Sequence, residues 1–397
     1  MNYLQKKKLA FMSIVNRVKG FVRTVTGVLP LTLTNCVDDD SIIDYTLYGQ
    51  SVQDGTPTPE TPVEVESVGE KTTNLINWDL LLSDTTITKV ENGYYSNTYA
   101  HIFNSTSNIV KHLKSVLKPD VTYTLSRVCV PDLSVNGSAI GRISIKANST
   151  ELAVCVYWGG LKSVKFTLTQ EQIDSITAIE IYFYTKGTTI SELQLTESDT
   201  ILPYEPYGYK IPIKVSGNSK TITTNIYLDE PLRKVGDYAD YIDFENGKVV
   251  RCIKKTTFTG NEAFEVRSHY NNETTKFSLS NFLEQYAGVM CVSNIGSFEN
   301  GTNANATGET GVGLWNGNTG TSRIVYLEVP YKYNTAESLS TYLSTNKVYV
   351  IYQLATPTQT PISLPTIPTF KGTSIISADT TTQPSNAEIT YYSNVKE

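Results

Sequence analysis

Two Thr-Pro-rich stretches near opposite ends of the chain constrain its fold most. They are YGQSVQDGTPTPETPVEVESVGEKTTNLI at residues 48–76 and YQLATPTQTPISLPTIPTFKGTSII at 352–376. Proline fixes φ and has no N–H to give to a ladder. Pro57, Pro59, Pro62, Pro357 and Pro361 therefore favour extended, edge-like backbone over helix. In each copy a Thr-Pro connector sits directly before an alternating or apolar strand-like segment. The pair reads as two matching extended legs of one β-rich body, about 300 residues apart.

At 397 residues the chain is too long for one ordinary core and suits two or three domains. A hydrophobic content of 40% can fill those cores, and only 18% of residues are charged. The 26 tyrosines, with abundant Thr, Val and Ile, fit a pleated, half-buried surface, so the fold class is mainly β. Five scattered cysteines do not make a disulfide framework. Cys129 and Cys155 read as buried free thiols, as a reducing cytoplasm would leave them.

The net charge of −6 is uneven. Residues 1–37 carry Lys6, Lys7, Lys8, Arg17, Lys19 and Arg23 with no acid, a charge of +6, which leaves −12 on the remainder. An acidic body opposes nucleic-acid binding by the main domains. Within the arm, Phe11, Ile14, Val15, Val18, Phe21, Val22 and Val25 recur at helical spacing, and Gly27 and Pro30 end the pattern. Such a basic amphipathic helix can lie on a membrane surface, bind nucleic acid, pack on its own domain, or bury its apolar face in a partner subunit. The KKKLAFMSIV start has the look of an export signal, but Asn16, Arg17 and Lys19 interrupt the apolar run. No span reaches the length of a membrane crossing.

Four segments follow: the docking arm 1–37, extended strands at 38–70, a domain at 71–207 and another at 208–397. In 38–70, strands are expected at Ile42–Tyr48 and Val63–Val68. Many short strand-like runs separated by turns make 71–207 a β-sandwich, with Ile179, Ile181 and Phe183 alternating against Glu180, Tyr182 and Tyr184. Two short helices fit inside it. Ile109, Val110, Leu113, Val116 and Leu117 share one face, and Thr169 to Gln172 form a capping box. In 208–397, Asn246-Gly247 marks a hairpin and residues 294–320 read as a long loop. Thr335 opens a short helix with Leu339, Tyr342 and Leu343 on one face, Val348–Leu354 is a strand, and the last strand lies at Ala387–Tyr392.

Several of these segments resemble known proteins. SVQDGTPTPE, DYIDFENGKVVR, IYQLATPTQTPISLP and QPSNAEITYY are similar to stretches of structural proteins of tailed bacteriophages and prophages of Gram-positive and gut bacteria. The similarity spans roughly residues 40–70 and 204–397. Residues 71–207 resemble the jelly-roll carbohydrate-binding modules, through Tyr123-Thr124-Leu125-Ser126 early and LQLTE…YEPY at the close, although Ser198 and Asp199 replace the usual glycine. The resemblance implies a tail, baseplate or head-fibre protein of the virion, assembled in the host bacterial cytoplasm and forming a homo-oligomer, a trimer. It favours docking on other virion proteins through residues 1–30, with Phe11, Val15, Val18, Lys19, Val22 and Arg23 as the contact. It also implies adhesion of the jelly roll to a host cell-surface glycan. On this reading 42–70 pairs with the C-terminal region and the jelly roll is inserted between them. A secreted bacterial carbohydrate-binding or glycan-processing protein is the alternative, and a purely structural decoration protein a third.

Catalytic signals are poor, so a non-enzymatic protein without cofactor or metal is expected. No two of His101, His112 and His269 share metal-ligand spacing, and His112 and His269 read as solvated. No GxSxG, HExxH or P-loop occurs. Paired carboxylates of the glycosidase kind are invisible in a sequence, because their separation is three-dimensional. For sugar stacking the aromatic candidates are Trp158, Tyr157, Trp78, the cluster Tyr94, Tyr95 and Tyr99, and Trp315. Each has a competing place in a sandwich core, where Trp is mostly buried.

Overall fold

The computed structural model describes residues 31–37, 42–90, 93–130, 141–155, 160–183, 189–217, 220–244, 246–280, 283, 286–298, 305–316, 323–364, 372–378 and 388–394. The predicted amphipathic helix, with Phe11, Val15, Val18, Lys19, Val22 and Arg23, lies outside them. The fold is mainly β and divides into two compact units, one of residues 71–210 and one of 1–70 with 211–397.

The 71–210 unit is a sandwich of two antiparallel sheets. One runs in the order Thr150–Cys155, Arg142–Ala147, Ala178–Tyr182, Ala100–Asn104. The other is ordered Gly160–Thr167, Thr122–Val130, Thr189–Thr196, Gly93–Ser96, Ile87–Val90. Period-2 alternation sends Phe103, Ile143, Ile145, Ile179 and Ile181 from the first sheet, and Tyr123, Leu125, Cys129, Ile190 and Leu195 from the second, into one core. The helix Asn108–Val116 buries Ile109, Val110 and Leu113 against it. The turn Gln170–Asp174 is closed by a reciprocal Thr169–Gln172 capping box. Cys129 and Cys155 are free thiols in the core. Entry and exit are fastened together: Leu75 N–H donates to Leu195 O (2.8 Å), Asn74 Nδ2 to Leu193 O (3.1 Å), and Thr72 N–H to Gly208 O (3.0 Å). Glu205 accepts from Thr73 N (2.8 Å) and from Lys210 (2.8 Å). These bonds give NLI and ELQL-to-PYEPYG their place.

In the other unit a six-stranded sheet runs Tyr286–Ser293, Tyr349–Pro361, Lys248–Thr257, Tyr241–Asp243, Ile42–Tyr48, Glu388–Asn394. A four-stranded sheet runs Glu265–Tyr270, Thr274–Ser280, Arg323–Pro330, Gly311–Asn316. Phe277, Leu327, Val329, Val350 and Tyr352 pack with Leu339, Tyr342 and Leu343 of the helix Ala336–Thr345, whose N-terminus Thr335 caps. A further sheet is ordered Leu31–Val37, Gly372–Ala378, Tyr209–Gly217, Lys220–Leu228. Asn246-Gly247 does turn a hairpin, with Gly247 at φ +61.

Three expectations change. Val63–Val68 shrinks to Glu66–Ser67, because its N–H groups find irregular partners: Val63 bonds Asn294 O (2.7 Å), Val65 the Tyr349 hydroxyl (2.8 Å) and Val68 Leu232 O (3.0 Å). The strand predicted over Val348–Leu354 instead runs through the prolines to Pro361. Ile362 N–H donates to Gly247 O (2.9 Å), so alternation turns the backbone of Pro361 to the open edge, where a missing N–H costs nothing and discourages pairing with another chain. Finally, the expected loop 294–320 contains the strand Gly311–Asn316.

Candidate functional site: the outer face of the four-stranded sheet in the 71–210 unit

Because Ile179, Ile181, Ile143 and Ile145 point inward, their alternate neighbours share the opposite face. The register puts Ile102, Glu180, Ser144 and Val154 in one row across the sheet. Ala100, Tyr182 and Arg142 form the next, and Asn104, Ala178, Lys146 and Glu151 a third. The side chains interlock. Lys146 Nζ is 2.9 Å from Glu180 Oε1, the Tyr182 hydroxyl donates to Glu180 Oε2 at 3.0 Å, and Arg142 pairs with Glu151. The Arg142 guanidinium lies 5.4 Å from the centre of the Tyr182 ring, and Tyr99 meets that ring edge-on at 5.8 Å. Partial burial opposes the charge of Glu180. The hydrogen bonds from Lys146 and Tyr182 and the nearby Arg142 charge outweigh it and hold the carboxyl below its usual range. Tyr99 is 55% exposed and Ile102 65%. An ordered ionic ladder is thus flanked by two exposed apolar side chains.

Among the described residues, Tyr99 is the one sequence-predicted aromatic that stands there. Trp158 and Tyr157 lie outside the described residues. Trp78 is only 4% exposed and belongs to the core, so it offers no face to a ligand. Tyr95 is half-buried on Gly93–Ser96, in the other sheet, with its hydroxyl on Asn97. Trp315 is half-buried on a strand of the other unit, and its carbonyl accepts from Tyr286. Tyr182, Arg142, Lys146 and Glu180 were missed. The only signal was that Glu180 and Tyr182 occupy the polar phase of an alternating strand.

A second constellation invites a catalytic reading. His101 Nδ1 lies 2.7 Å from Asp84 Oδ2 and its Nε2 2.9 Å from Ser96 Oγ, the heavy-atom order of a nucleophile–base–orienter relay. Ser96, however, is 1% exposed, its hydroxyl donates to Thr86 O (2.9 Å), and it accepts from Thr98 N (3.0 Å). With its proton committed to a carbonyl and no open side, it fastens a turn. His112 is half-buried and edge-on to Tyr207 at 5.4 Å, with burial lowering its pKa, and is not the solvated residue expected. His269 is exposed, on the strand Glu265–Tyr270.

Burial raises the pKa of Asp84, but hydrogen bonds from His101 and Thr86 win and bring it from 3.8 down to about 2. Asp84 and Glu180 are thus both depressed on folding, and stabilise the folded state above their unfolded values of 3.8 and 4.5. Thermal melts of the protein should show this contribution of the 71–210 unit intact above pH 4.5 and lost progressively toward pH 2. An Asp84→Asn variant should flatten the lower part of that curve.

Among the described residues no group of His, Cys, Asp and Glu could hold a metal ion, and no helix is long and apolar enough to cross a membrane. No family model, no curated protein and no solved structure matches this chain.

Proposed function

We propose that this chain is a non-enzymatic structural component of a bacteriophage virion, of the tail, baseplate or head-fibre type, whose 71–210 unit adheres to saccharide on the host surface. The observation that carries adhesion is the outer sheet face, where Tyr99 and Ile102 stand exposed beside the Arg142–Glu151 and Lys146–Glu180 pairs. Aromatic faces suit the C–H faces of sugar rings, and fixed carboxylates, ammonium and guanidinium suit ring hydroxyls. The phage-like segments SVQDGTPTPE and YQLATPT support the virion assignment. The basic stripe of residues 1–30 supports docking on other virion proteins, with assembly as a trimer in the host cytoplasm.

The test has two arms. Mass spectrometry of purified particles should find the chain, and should lose it when residues 1–27 are deleted. The purified protein should adsorb to cell-wall saccharide of its host, and Tyr182→Ala should weaken that adsorption about tenfold, equivalent to about 1.4 kcal/mol. Particles that never contain the chain would end the virion reading, and adsorption indifferent to Tyr182 would end the adhesion reading.

A further inference from the structure

Resting on the adhesion reading above, we infer that the ligand of this face is an uncharged saccharide chain, not an acidic one. The face is rich in charge yet offers no unmatched charge among its central residues. Each cation already has its carboxylate: Arg142 pairs with Glu151 across one strand boundary, and Lys146 with Glu180 at 2.9 Å across the other. A uronate or sulfate approaching either cation would have to displace a preformed partner and would then leave that carboxylate beside its own negative charge. A cationic ligand would meet the mirror image of the same difficulty at Glu151 and Glu180.

A neutral polyol meets no such conflict. Its hydroxyls both donate and accept, so they can bond to a carboxylate and to the Lys146 ammonium without a net charge of their own, while both ion pairs persist. The Tyr182 hydroxyl donates to Glu180 at 3.0 Å and so holds the ladder's central carboxylate in place. At the centre of the ladder, directly opposite Glu180 in register, Ser144 Oγ is buried and has no hydrogen-bond partner among the described residues. At 0% exposure it lies beneath the ladder, out of a saccharide's reach, and takes no part in the binding. Tyr99 and Ile102 then supply an exposed apolar margin for the C–H face of a sugar ring. Binding of this kind comes from hydrogen bonds and contact area, so it should respond weakly to salt, whereas pairing with an acidic chain would be screened.

The full chain should be assayed against immobilised neutral hexose and N-acetylhexosamine oligosaccharides and against matched sets carrying uronate or sulfate, at low and high salt. Wild-type protein should retain the neutral set with affinities that change less than about twofold with salt. Tyr182→Ala and Glu180→Gln should each weaken retention about tenfold, with far-UV circular dichroism and melting confirming a folded chain. Preferential retention of the acidic set, weakened by salt and still dependent on Tyr182, would overturn the inference while leaving the face as the binding site. Retention of neither set, or retention insensitive to Tyr182 and Glu180, would remove the face itself.

Discussion

Replacing Glu328 by alanine should destabilise the protein by about 3–5 kcal/mol, the largest effect expected of any charge deletion here. Glu328 is 0% exposed, and Lys276, directly opposite it in register, is 1% exposed at the side chain. The carboxylate does more than face Lys276 at 3.8 Å. Its Oε1 accepts from the Thr274 hydroxyl (2.6 Å), Thr307 N (2.9 Å) and Gly308 N (2.8 Å), so one side chain holds both the ladder and the Thr307-Gly308 backbone. With the carboxylate removed, the Lys276 ammonium keeps, among the described residues, Asn305 O at 3.3 Å, the rings of Phe298 and Tyr326 and the charge of Glu309. Burial already lowers the Lys276 pKa against the pull of Glu328, and without Glu328 the smaller pull of Glu309 is left to oppose it. Urea unfolding should report the loss, and hydrogen exchange should show Thr307 and Gly308 among the amides that lose protection. The double replacement Lys276→Met with Glu328→Leu should recover only part of the stability. An apolar pair removes the stranded ammonium but leaves two loop amides without their acceptor.

What the sequence made legible follows a physical division. Local chemistry was readable, because capping and turn signals need only neighbours: Thr169 and Thr335 cap their helices, and Gly247 supplies a positive φ between two strands. The buried phase of Ile179 and Ile181 was equally readable, since alternation is a property of one strand. The Gly-rich stretch was misread because glycine there answers packing and not flexibility. A methyl group on Gly313 would fall inside van der Waals contact with the Phe298 ring, so the strand Gly311–Asn316 needs glycine in order to exist. The Thr-Pro segment 355–361 was legible as extended, edge-like backbone, but the strand's end was placed short at Leu354 because the cost of proline depends on which strand edge is open, and neighbours decide that. The outer face failed for the same reason. Glu180 acquires Lys146 and Tyr182 acquires Arg142 through strand register between segments more than 30 residues apart, which no single-strand pattern encodes.

Trp78 illustrates the limit most sharply, and its substitutions should separate a structural tryptophan from a binding one. Trp78→Ala should cost about 3–5 kcal/mol, the range for emptying a buried aromatic site. Trp78 opens the 3-10 turn Trp78–Ser83, fixed by Asn77 accepting from Asp79 N at 3.1 Å, and packs into the same cluster as Leu81 and Ile109. Trp78→Phe should be far milder. The indole Nε1 is buried with no hydrogen-bond partner among the described residues, so the phenyl ring removes an unsatisfied donor that itself costs about 1–3 kcal/mol, which offsets the smaller volume. Calorimetry of the full chain should thus show a deep fall in melting temperature for alanine and a shallow one for phenylalanine. Saccharide retention by the folded fraction should be unchanged in both. Tyr182→Ala should give the opposite pattern, with weakened retention and a stability change within about 1 kcal/mol, because its ring lies on the outer face of the sheet and not in the core cluster. A Trp78→Phe variant that kept its melting temperature and lost retention would return Trp78 to the binding surface, against its place in the core.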